Sequence, residues 1–393
     1  MWWSPDSTRL VYGVFDDTEV DILILPRYGS WSTAKNNRQG YGFLQNFLHD
    51  QFRYPKAGTT NPAVSLVSAE VGSPTRPVRQ SVLAPPSVLQ GQAAHFTSVT
   101  WADHHTVAVN WMSRVQNVSA INLCPLDTSP PQCRQVHVQV ERDGWVDYKF
   151  KPVFNAGVGP SKFVAILPAA SLRYRPRQLF LVDSKAGSRS MLTSQEDQEV
   201  TEVVSWPGQG ATVYFMATVP GDPGARHLHS LLLGSGQQQC LTCSTKEMVP
   251  TLRARPPCQF IAAKMSKQGS YYLADCHGPG VPHSTLHDTK SGHLLTLWED
   301  NSRLQRTYRG VDSPTVEYRQ VTVPGTQQKA QVMLYLPLGY QTYLPGDAVP
   351  PSRVPDCQEP PHAGGGVWGT GLPEGSPFLL LDIDNMTGRI YCI

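Results

Sequence analysis

The chain has 393 residues, enough for one large all-β domain or two to three smaller ones with a sizeable core. Only 16% of the residues are charged, and 34 prolines and 32 glycines make the composition turn-rich without making it low-complexity. The formal net charge of +2 and the scattered lysines and arginines argue against nucleic acid or an anionic lipid surface as a partner.

The N-terminal sequence lacks the features of a targeting segment. Met1 is followed by Trp2-Trp3-Ser4-Pro5-Asp6, with neither a basic stretch nor an apolar stretch behind it. No apolar run approaches the roughly 18 residues needed to span a bilayer, so no membrane segment is expected in this chain. We expect that the chain begins inside a domain and that the natural N-terminus lies upstream.

One phrase recurs along the chain: an aromatic or apolar residue, a short polar turn and then a strand of alternating character. Copies begin at Trp3, Trp101, Phe154, Trp206 and Met265. The later copies follow one another at intervals of about 50 residues, whereas the first interval is about twice as long. The long interval predicts one degenerate copy, for which the strand around residues 63–67 is the candidate.

A period of about 50 residues, with several short strands per unit, is typical of a β-propeller built from four-stranded blades. Short β-branched and aromatic runs bounded by turn residues predict strands at 107–111, 163–167, 178–182 and 212–216. We therefore predict an all-β fold, a partial β-propeller of about five blades. A pair of β-sandwiches is the alternative, because strand spacing alone does not separate the two folds.

The eight cysteines are an even number, and their spacing allows two interpretations. Cys240 and Cys243 form a C-x-x-C pair that fits half of a structural zinc site, but no second pair with metal-ligand spacing follows. Two wider spacings suit strands joined by a disulfide: Cys124 with Cys133, and Cys258 with Cys276. We favour disulfides, and with them an oxidising, extracytoplasmic compartment.

A glycosylation acceptor triplet, Asn117-Val118-Ser119, lies beside the hairpin that contains Cys124. N-linked glycans are added to surface segments of secreted proteins. The triplet therefore supports disulfides against the alternative that the thiols are ordinary buried cysteines, and it makes Asn117 a predicted glycosylation site.

Several histidines and hydroxyl groups lie between residues 277 and 293. His283 and His287 share one face of a predicted strand, which permits a metal pair, but no carboxylate-rich pocket accompanies them. Ser284, His287 and Asp288 contain the residue types of a catalytic triad. Because adjacent strand residues point to opposite faces, His287 and Asp288 cannot readily form the orienting hydrogen bond of a triad. We expect no metal, no cofactor and no catalytic residue in this chain.

Nine short motifs, in order from residue 2 to about residue 305, match one family. They include Trp2-Trp3-Ser4-Pro5-Asp6, Tyr54-Pro55-Lys56-Ala57-Gly58, Gly144-Trp145-Val146, Cys240-Leu241-Thr242-Cys243 and Gly278-Pro279-Gly280-Val281-Pro282. The chain thereby resembles the dipeptidyl peptidase IV group of the prolyl oligopeptidase family. That group contains serine peptidases and catalytically silent, ion-channel-associated relatives.

The resemblance implies an eight-bladed propeller joined to a C-terminal α/β-hydrolase domain in a membrane-anchored glycoprotein. This chain corresponds to about the last five blades. The resemblance also pairs six of the cysteines and leaves two without a counterpart: Cys124–Cys133, Cys240–Cys243 and Cys258–Cys276 are paired, and Cys357 and Cys392 are not.

The resemblance extends weakly beyond the propeller. Residues 331–337 resemble the strand that leads to the hydrolase, and residues 377–383 resemble its first core strand. Between them lies a Pro-rich segment with Gly364-Gly365-Gly366. We therefore divide the chain into a partial propeller (1–310), a linker strand (311–338) and a divergent tail (339–393). We favour an altered or truncated C-terminus for this tail over a disordered linker.

The substrate groups of the family are mostly outside this chain. Its amine-binding glutamates precede the Trp2-Trp3 motif, and no G-x-S-x-G elbow for a serine nucleophile occurs in the sequence. Phe150-Lys151 matches a Phe-Arg pair that lines the family's substrate cleft, with an insertion or deletion and with Lys in place of Arg. Lys keeps the charge but loses the planar fork, so a surface aromatic-basic pair is an equal alternative.

The resemblance therefore predicts the propeller part of a cell-surface serine dipeptidyl peptidase. The intact protein would release N-terminal Xaa-Pro or Xaa-Ala dipeptides from peptides by acyl transfer, and this chain alone would be inactive. A non-catalytic cell-surface binding protein or ion-channel auxiliary subunit, with protein partners at the propeller, is the second hypothesis. A non-functional product with unpaired sheet faces is the third.

Overall fold

A computed structural model describes residues 1–26, 49–71, 78–128, 130–146, 151–155, 157–172, 175–208, 210–243, 257–311, 314–323, 325, 329–336, 379–382 and 389–392. These residues form twenty-six β-strands and one short α-helix, α1 (Ser302–Tyr308), besides a single 3-10 turn at Ser87–Leu89. The predicted all-β fold is confirmed. No helix in these ranges has the length and apolar character needed to cross a bilayer.

The first of five four-stranded antiparallel sheets contains an inserted hairpin. Its strands pair in the order β1 (Trp2–Trp3), β2 (Arg9–Asp16), β5 (Ala63–Glu70), β6 (Arg79–Leu83), and the hairpin is β3 (Ile22–Pro26) with β4 (His49–Arg53). Residues 63–67 therefore belong to the third strand of this sheet. The prediction that they start a separate repeat unit was wrong, because the inserted hairpin, and not an extra blade, lengthens the first interval.

The second, third and fourth sheets each use four consecutive strands. The second contains β7 (Ala94–Trp101), β8 (Thr106–Ser113), β9 (Val118–Pro125) and β10 (Arg134–Val140); the third β11 (Val153–Phe154), β12 (Lys162–Pro168), β13 (Arg177–Asp183) and β14 (Ser188–Met191); the fourth β15 (Val200–Ser205), β16 (Thr212–Val219), β17 (Asp222–Leu232) and β18 (Gln237–Cys240). The four strands predicted from short apolar runs lie in β8, β12, β13 and β16.

The fifth sheet and two short hairpins complete the described chain. The sheet contains β19 (Ile261–Met265), β20 (Tyr271–Cys276), β21 (His283–Asp288) and β22 (Leu294–Glu299); the hairpins are β23 (Thr315–Thr322) with β24 (Lys329–Leu336), and β25 (Leu379–Asp382) with β26 (Arg389–Cys392).

The recurring phrase marks the turn between the first and second strand of each sheet. In the first sheet, the Asp6 carboxylate accepts hydrogen bonds from the hydroxyls of Ser4 (2.6 Å) and Thr8 (2.9 Å), and these bonds hold its pKa well below the usual range. In the second sheet, the Asp103 carboxylate accepts from the backbone amide of Thr106 at 2.6 Å. Side chains that bond the local backbone favour tight turns, which explains why the phrase recurs.

Side chains of the middle strands alternate between two cores. On β12, Phe163 belongs to the core shared with the second sheet, and Val164 belongs to the core shared with the fourth. On β8, Val107 faces the core shared with the first sheet, and Ala108 faces the one shared with the third. Because strand side chains alternate between faces, the second and third sheets are each covered on both sides.

This arrangement decides between the two predicted architectures. In a pair of β-sandwiches, each sheet would face one core, whereas successive sheets here share successive cores, as propeller blades do. The partial propeller is therefore confirmed. Fully burying one large apolar side chain contributes roughly 1.5–3 kcal/mol, and Trp111, Phe163 and Phe215 are each at most 1% exposed.

The described residues form two compact units. The first comprises residues 1–217, 228–241 and 263–272 and holds the three cores. The second comprises residues 218–227, 242–262 and 273–393. Within the second unit, the Arg226 amide donates to the Gln259 carbonyl at 2.7 Å, and the ring of Phe260 lies 6.1 Å from that of Tyr318 on β23.

Candidate functional site

A cavity of about 450 Å³ lies within the first unit. Its walls come from the first strands of the second, third and fourth sheets, from residues 151–152 just before β11, and from one residue of β12. The lining residues are Thr100, Trp101, Lys151, Pro152, Val153, Phe154, Ile166, Thr201, Glu202, Val203 and Val204. The volume lies within the range of small-molecule and peptide sites.

Two charged side chains of opposite sign line this cavity. Lys151 precedes β11, and Glu202 lies on β15; both are exposed. No carboxylate in the described ranges lies within ion-pair distance of the Lys151 amine. The ammonium can therefore donate to a carbonyl or carboxylate of a ligand, and the Glu202 carboxylate can accept from an amine or amide.

The aromatic and hydroxyl groups of the cavity are positioned by neighbouring backbone. The indole Nε1 of Trp101 donates to the carbonyl of Trp2 at 3.3 Å, which fixes the ring. The Thr201 hydroxyl donates to the Met216 carbonyl at 3.3 Å. The Thr100 hydroxyl is buried and has no hydrogen-bond partner in the described part of the chain.

The cavity lining offers hydrogen-bonding groups of several kinds and one aromatic indole ring. Its described lining includes hydroxyls but no histidine that could deprotonate one, and no nucleophile–base pair. A lining that combines apolar side chains with charged and hydroxyl groups suits a peptide, whose backbone offers carbonyls and amides and whose side chains pack on aromatic rings.

The structure describes one of the two residues that the sequence predicted to line a cleft. Lys151 lines the cavity, and its role in a ligand cleft stays a prediction. Phe150 lies outside the described residues. The sequence did not single out Glu202 or Thr100, because only the stacking of sheets brings β7 and β15 to the same cavity as Lys151.

The six cysteines assigned to disulfides are disulfide-bonded. Cys124 at the end of β9 bonds Cys133 just before β10, and Cys258 bonds Cys276 at the end of β20. Cys240 and Cys243 are both disulfide-bonded as well, so their sulfurs are not available as zinc thiolates. The preference for disulfides over zinc is confirmed for these cysteines.

The residues of the rejected triad do not form one. Ser284 donates to the Asp275 carboxylate at 2.6 Å, and His287 Nε2 lies 2.9 Å from the Thr285 hydroxyl. Burial lowers the pKa of His287, and hydrogen bonds from Ser291 lower the pKa of Asp288. Neither His283 nor His287 belongs to a cluster of three metal-ligating groups in the described part of the chain.

The predicted glycosylation site lies at one end of the second sheet, in the turn between its two central strands. Asn117 is half-buried in the turn between β8 and β9, immediately before β9 begins at Val118. Ser119, the third residue of the triplet, is buried.

The stacked four-stranded sheets, with a cavity along their first strands, define a propeller-type domain. The family model "Dipeptidyl peptidase IV (DPP IV) N-terminal region" matches residues 1–283. The chain belongs to this family, as the sequence motifs had indicated.

Individual relatives agree with this assignment. The chain is 29% identical to pig dipeptidyl peptidase 4 over 343 residues, 25% identical to mouse prolyl endopeptidase FAP over 329, and 28% identical to mouse inactive dipeptidyl peptidase 10 over 313. These matches cover 85%, 82% and 78% of this chain. The chain spans about two fifths of the length of these relatives, at 41%, 39% and 35%.

A solved structure has the same fold. The crystal structure of Porphyromonas gingivalis dipeptidyl peptidase 4 matches with a TM-score of 0.65 and 17% sequence identity, over 86% of this chain and 42% of that one. At this identity the likeness concerns the fold.

Proposed function

We propose that this chain is the propeller portion of a cell-surface serine dipeptidyl peptidase. The intact protein would release N-terminal Xaa-Pro or Xaa-Ala dipeptides, and the propeller would receive the peptide before cleavage. The single observation that carries the proposal is that Lys151, matched to the family's cleft, lines a cavity of peptide size in a chain that belongs to this family.

The cavity chemistry supports a peptide as the ligand. Lys151 would donate to peptide carbonyls or a carboxylate, Glu202 would accept from an amine, and the fixed ring of Trp101 would pack against apolar side chains. Phe150 would belong to the same cleft. No cofactor or metal takes part in this proposal.

The chain by itself would bind without cleaving. It contains no G-x-S-x-G elbow. Ser284, His287 and Asp288, which are the residue types of a triad, form hydrogen bonds with other groups. The purified 393-residue chain should therefore leave Gly-Pro-p-nitroanilide intact. Release of p-nitroaniline by the pure chain would overturn this part of the proposal.

Peptide binding is tested by calorimetric titration of the purified chain with a peptide beginning Gly-Pro. Lys151→Ala should weaken binding about 5- to 20-fold, because a charged hydrogen bond contributes on the order of 1–2 kcal/mol. Lys185→Ala is the matched control, since Lys185 lies in the exposed turn between β13 and β14 of the third sheet. Equal binding by both variants would show that the peptide does not use this cavity.

The second candidate is a non-catalytic cell-surface binding protein or ion-channel auxiliary subunit. One observation favours it: identity to an inactive dipeptidyl peptidase 10, at 28%, is nearly equal to that with pig dipeptidyl peptidase 4, at 29%. Sequencing the transcript beyond the codon for Ile393 separates the two. A G-x-S-x-G motif there supports a peptidase, and another residue in the serine position supports a binding protein.

An extracellular location is part of the same proposal. Disulfides such as Cys124–Cys133 persist in oxidising compartments, and we infer exposure on the cell surface or secretion. Alkylation of the native protein from cells with and without reductant tests this location. Free thiols at these positions in the unreduced protein would contradict it.

A further inference from the structure

Three exposed apolar side chains surround the glycosylation triplet. Val115 is 68% exposed, Val140 is 54% exposed and Trp145 is 81% exposed. We call these three residues the Trp145 patch. Val140 pairs with Val118 across β9 and β10, and the residue after Trp145 is hydrogen-bonded to Gln116, so the backbone that carries the patch adjoins the turn of Asn117. Contiguous exposed apolar surface on a soluble protein commonly marks a contact site.

The patch is presented by fixed backbone. The Glu141 amide donates to the Asn117 carbonyl at 2.9 Å, and the Val146 amide donates to the Gln116 carbonyl at 2.8 Å. The Val146 side chain is buried. Glu141 is held in turn by two hydrogen bonds from the Arg175 guanidinium, at 3.0 and 3.1 Å. These bonds tie both ends of the segment 141–146 to the turn that carries the acceptor.

The amide of Asn117 is oriented by its neighbours. The Ser113 hydroxyl donates to Asn117 Oδ1 at 3.2 Å and accepts from the Val118 amide at 3.3 Å. The carboxamide oxygen of Asn117 therefore already accepts a hydrogen bond. Nδ2, the atom to which a sugar would be joined, has no hydrogen bond to the described residues.

We propose that Asn117 carries an N-linked glycan whose first sugars pack on Trp145 and cover the Trp145 patch. A pyranose ring presents a face of C–H bonds that fits an indole face, and its hydroxyls remain in water, just as Trp itself suits half-wet contacts. Carbohydrate fits the Trp145 patch because a glycan bonded to Asn117 is held beside this patch, and its first sugars can contact only side chains close to Asn117.

The modification balances as a glycosyl transfer. The Asn117 Nδ2–C bond forms, the C–O bond between the sugar and a polyisoprenyl diphosphate donor breaks, Nδ2 loses one proton, and the diphosphate leaves. Ser119 is 6% exposed in the folded chain, and its hydroxyl donates to Asn110 Oδ1 at 2.7 Å. The triplet must therefore be glycosylated before β9 joins its sheet.

The test uses the full chain, directed into the secretory pathway by a cleavable leader in cells that add high-mannose glycans. A second acceptor triplet, Asn385-Met386-Thr387, lies outside the described residues, so the chain carries Asn385→Gln. Peptide mass spectrometry measures occupancy at Asn117. One folded batch is divided into an untreated sample, a sample trimmed by endoglycosidase H to a single N-acetylglucosamine, and a sample stripped by peptide N-glycosidase.

Acrylamide quenching of Trp145, obtained as the difference from Trp145→Phe, reports the contact. Complete stripping should raise the Trp145 quenching constant at least about twofold, whereas trimming to one sugar should leave most of the protection, because the first sugar packs on the ring. An unoccupied Asn117, or equal quenching in all three samples, would overturn the proposal. Protection that persists after stripping and rises with protein concentration would assign the patch to a second copy and also overturn it.

This proposal rests on the proposed extracytoplasmic location but not on peptide binding. Lys151→Ala should leave both Asn117 occupancy and Trp145 quenching unchanged. A chain that fails to bind peptide yet shows glycan-dependent protection of Trp145 would separate the two proposals.

Discussion

Strands β12 and β23 have nearly the same length and differ in what covers them. The five central residues of β12 are all buried, whereas seven of the eight residues of β23 are exposed and the other is half-buried. β12 lies between two cores and β23 pairs only with β24. Fold stability in this chain therefore depends on middle strands whose two faces are both covered, since a two-stranded sheet gains little by itself.

The strongest test of this difference replaces a buried aromatic on β12. Phe163→Ala should lower the free energy of unfolding by about 3–5 kcal/mol, because it leaves a cavity in the core between the second and third sheets. Tyr335→Ala on β24, where Tyr335 is 52% exposed, is the control and should cost less than about 1 kcal/mol. Urea unfolding followed by circular dichroism measures both, and equal losses would contradict the distinction.

The disulfide of the second sheet should have the next largest effect. Cys124 and Cys133 close a loop with a sequence separation of 9, for which chain-entropy arguments give about 2.5 kcal/mol. Cys124→Ala with Cys133→Ala should lower the urea midpoint accordingly. Reductant should lower the wild-type midpoint by at least as much, because it opens this disulfide along with the others. An unchanged midpoint in the double variant would show that the packing of β9 and β10 suffices.

Acidification should weaken the second sheet through His137 on β10. Burial, and then the charge of Arg189, lower the pKa of His137 from 6.5 to about 4. The unfolded chain binds this proton below pH 6.5 and the folded chain only near pH 4, so stability falls as the pH drops through this window. The expected loss is about 2–3 kcal/mol.

The His137→Gln variant isolates this effect. Its unfolding free energy should lose less than that of wild type between about pH 7 and pH 4, while the two should change in parallel above about pH 7. Parallel pH profiles over the whole range would refute a depressed His137 pKa. Imidazole titration by NMR gives the pKa directly.

The smallest expected effect concerns the join between the third and fourth sheets. Asn155 is 2% exposed, and its Nδ2 donates to the carbonyl of Trp206 at 2.8 Å and lies within bonding distance of the next two carbonyls. Asn155→Ala removes these donors together with the acceptor for the Gly157 and Val158 amides and introduces no charge. We expect a loss of about 1–3 kcal/mol, measured by thermal melting; a melting point equal to wild type would disprove the role of the donors.

Local sequence predicted the parts of the fold that depend on local interactions. Trp101 and Asp103 identify a turn because the carboxylate bonds the next backbone amides, and the same phrase recurs at each sheet. Local sequence gave the wrong assignment for residues 63–67, because a short strand carries no information on which sheet it joins. The structure assigns β5 to the first sheet and shows that an inserted hairpin precedes it.

The candidate site shows the same limit. Lys151 was found through its neighbours in a family motif, whereas Glu202 lies among valines on β15 and looks like any solvent-facing strand residue. Lys151 and Glu202 line the same cavity because the second, third and fourth sheets stack on one another. This stacking depends on the cores between the sheets and not on either segment alone. Periodicity alone carries no information on that pairing.

The alternation of β8 and β12 between two cores also limits how the chain can change in length. A one-residue shift in the register of β12, such as an insertion just before Phe163 could cause, would send Phe163 and Val164 into each other's core, so two interfaces would be lost by a single event. The connection from β2 to β5, residues 17–62, carries a whole hairpin without altering the pairing of those strands. New peptide segments can therefore accumulate between strands, while the lengths of the middle strands are kept.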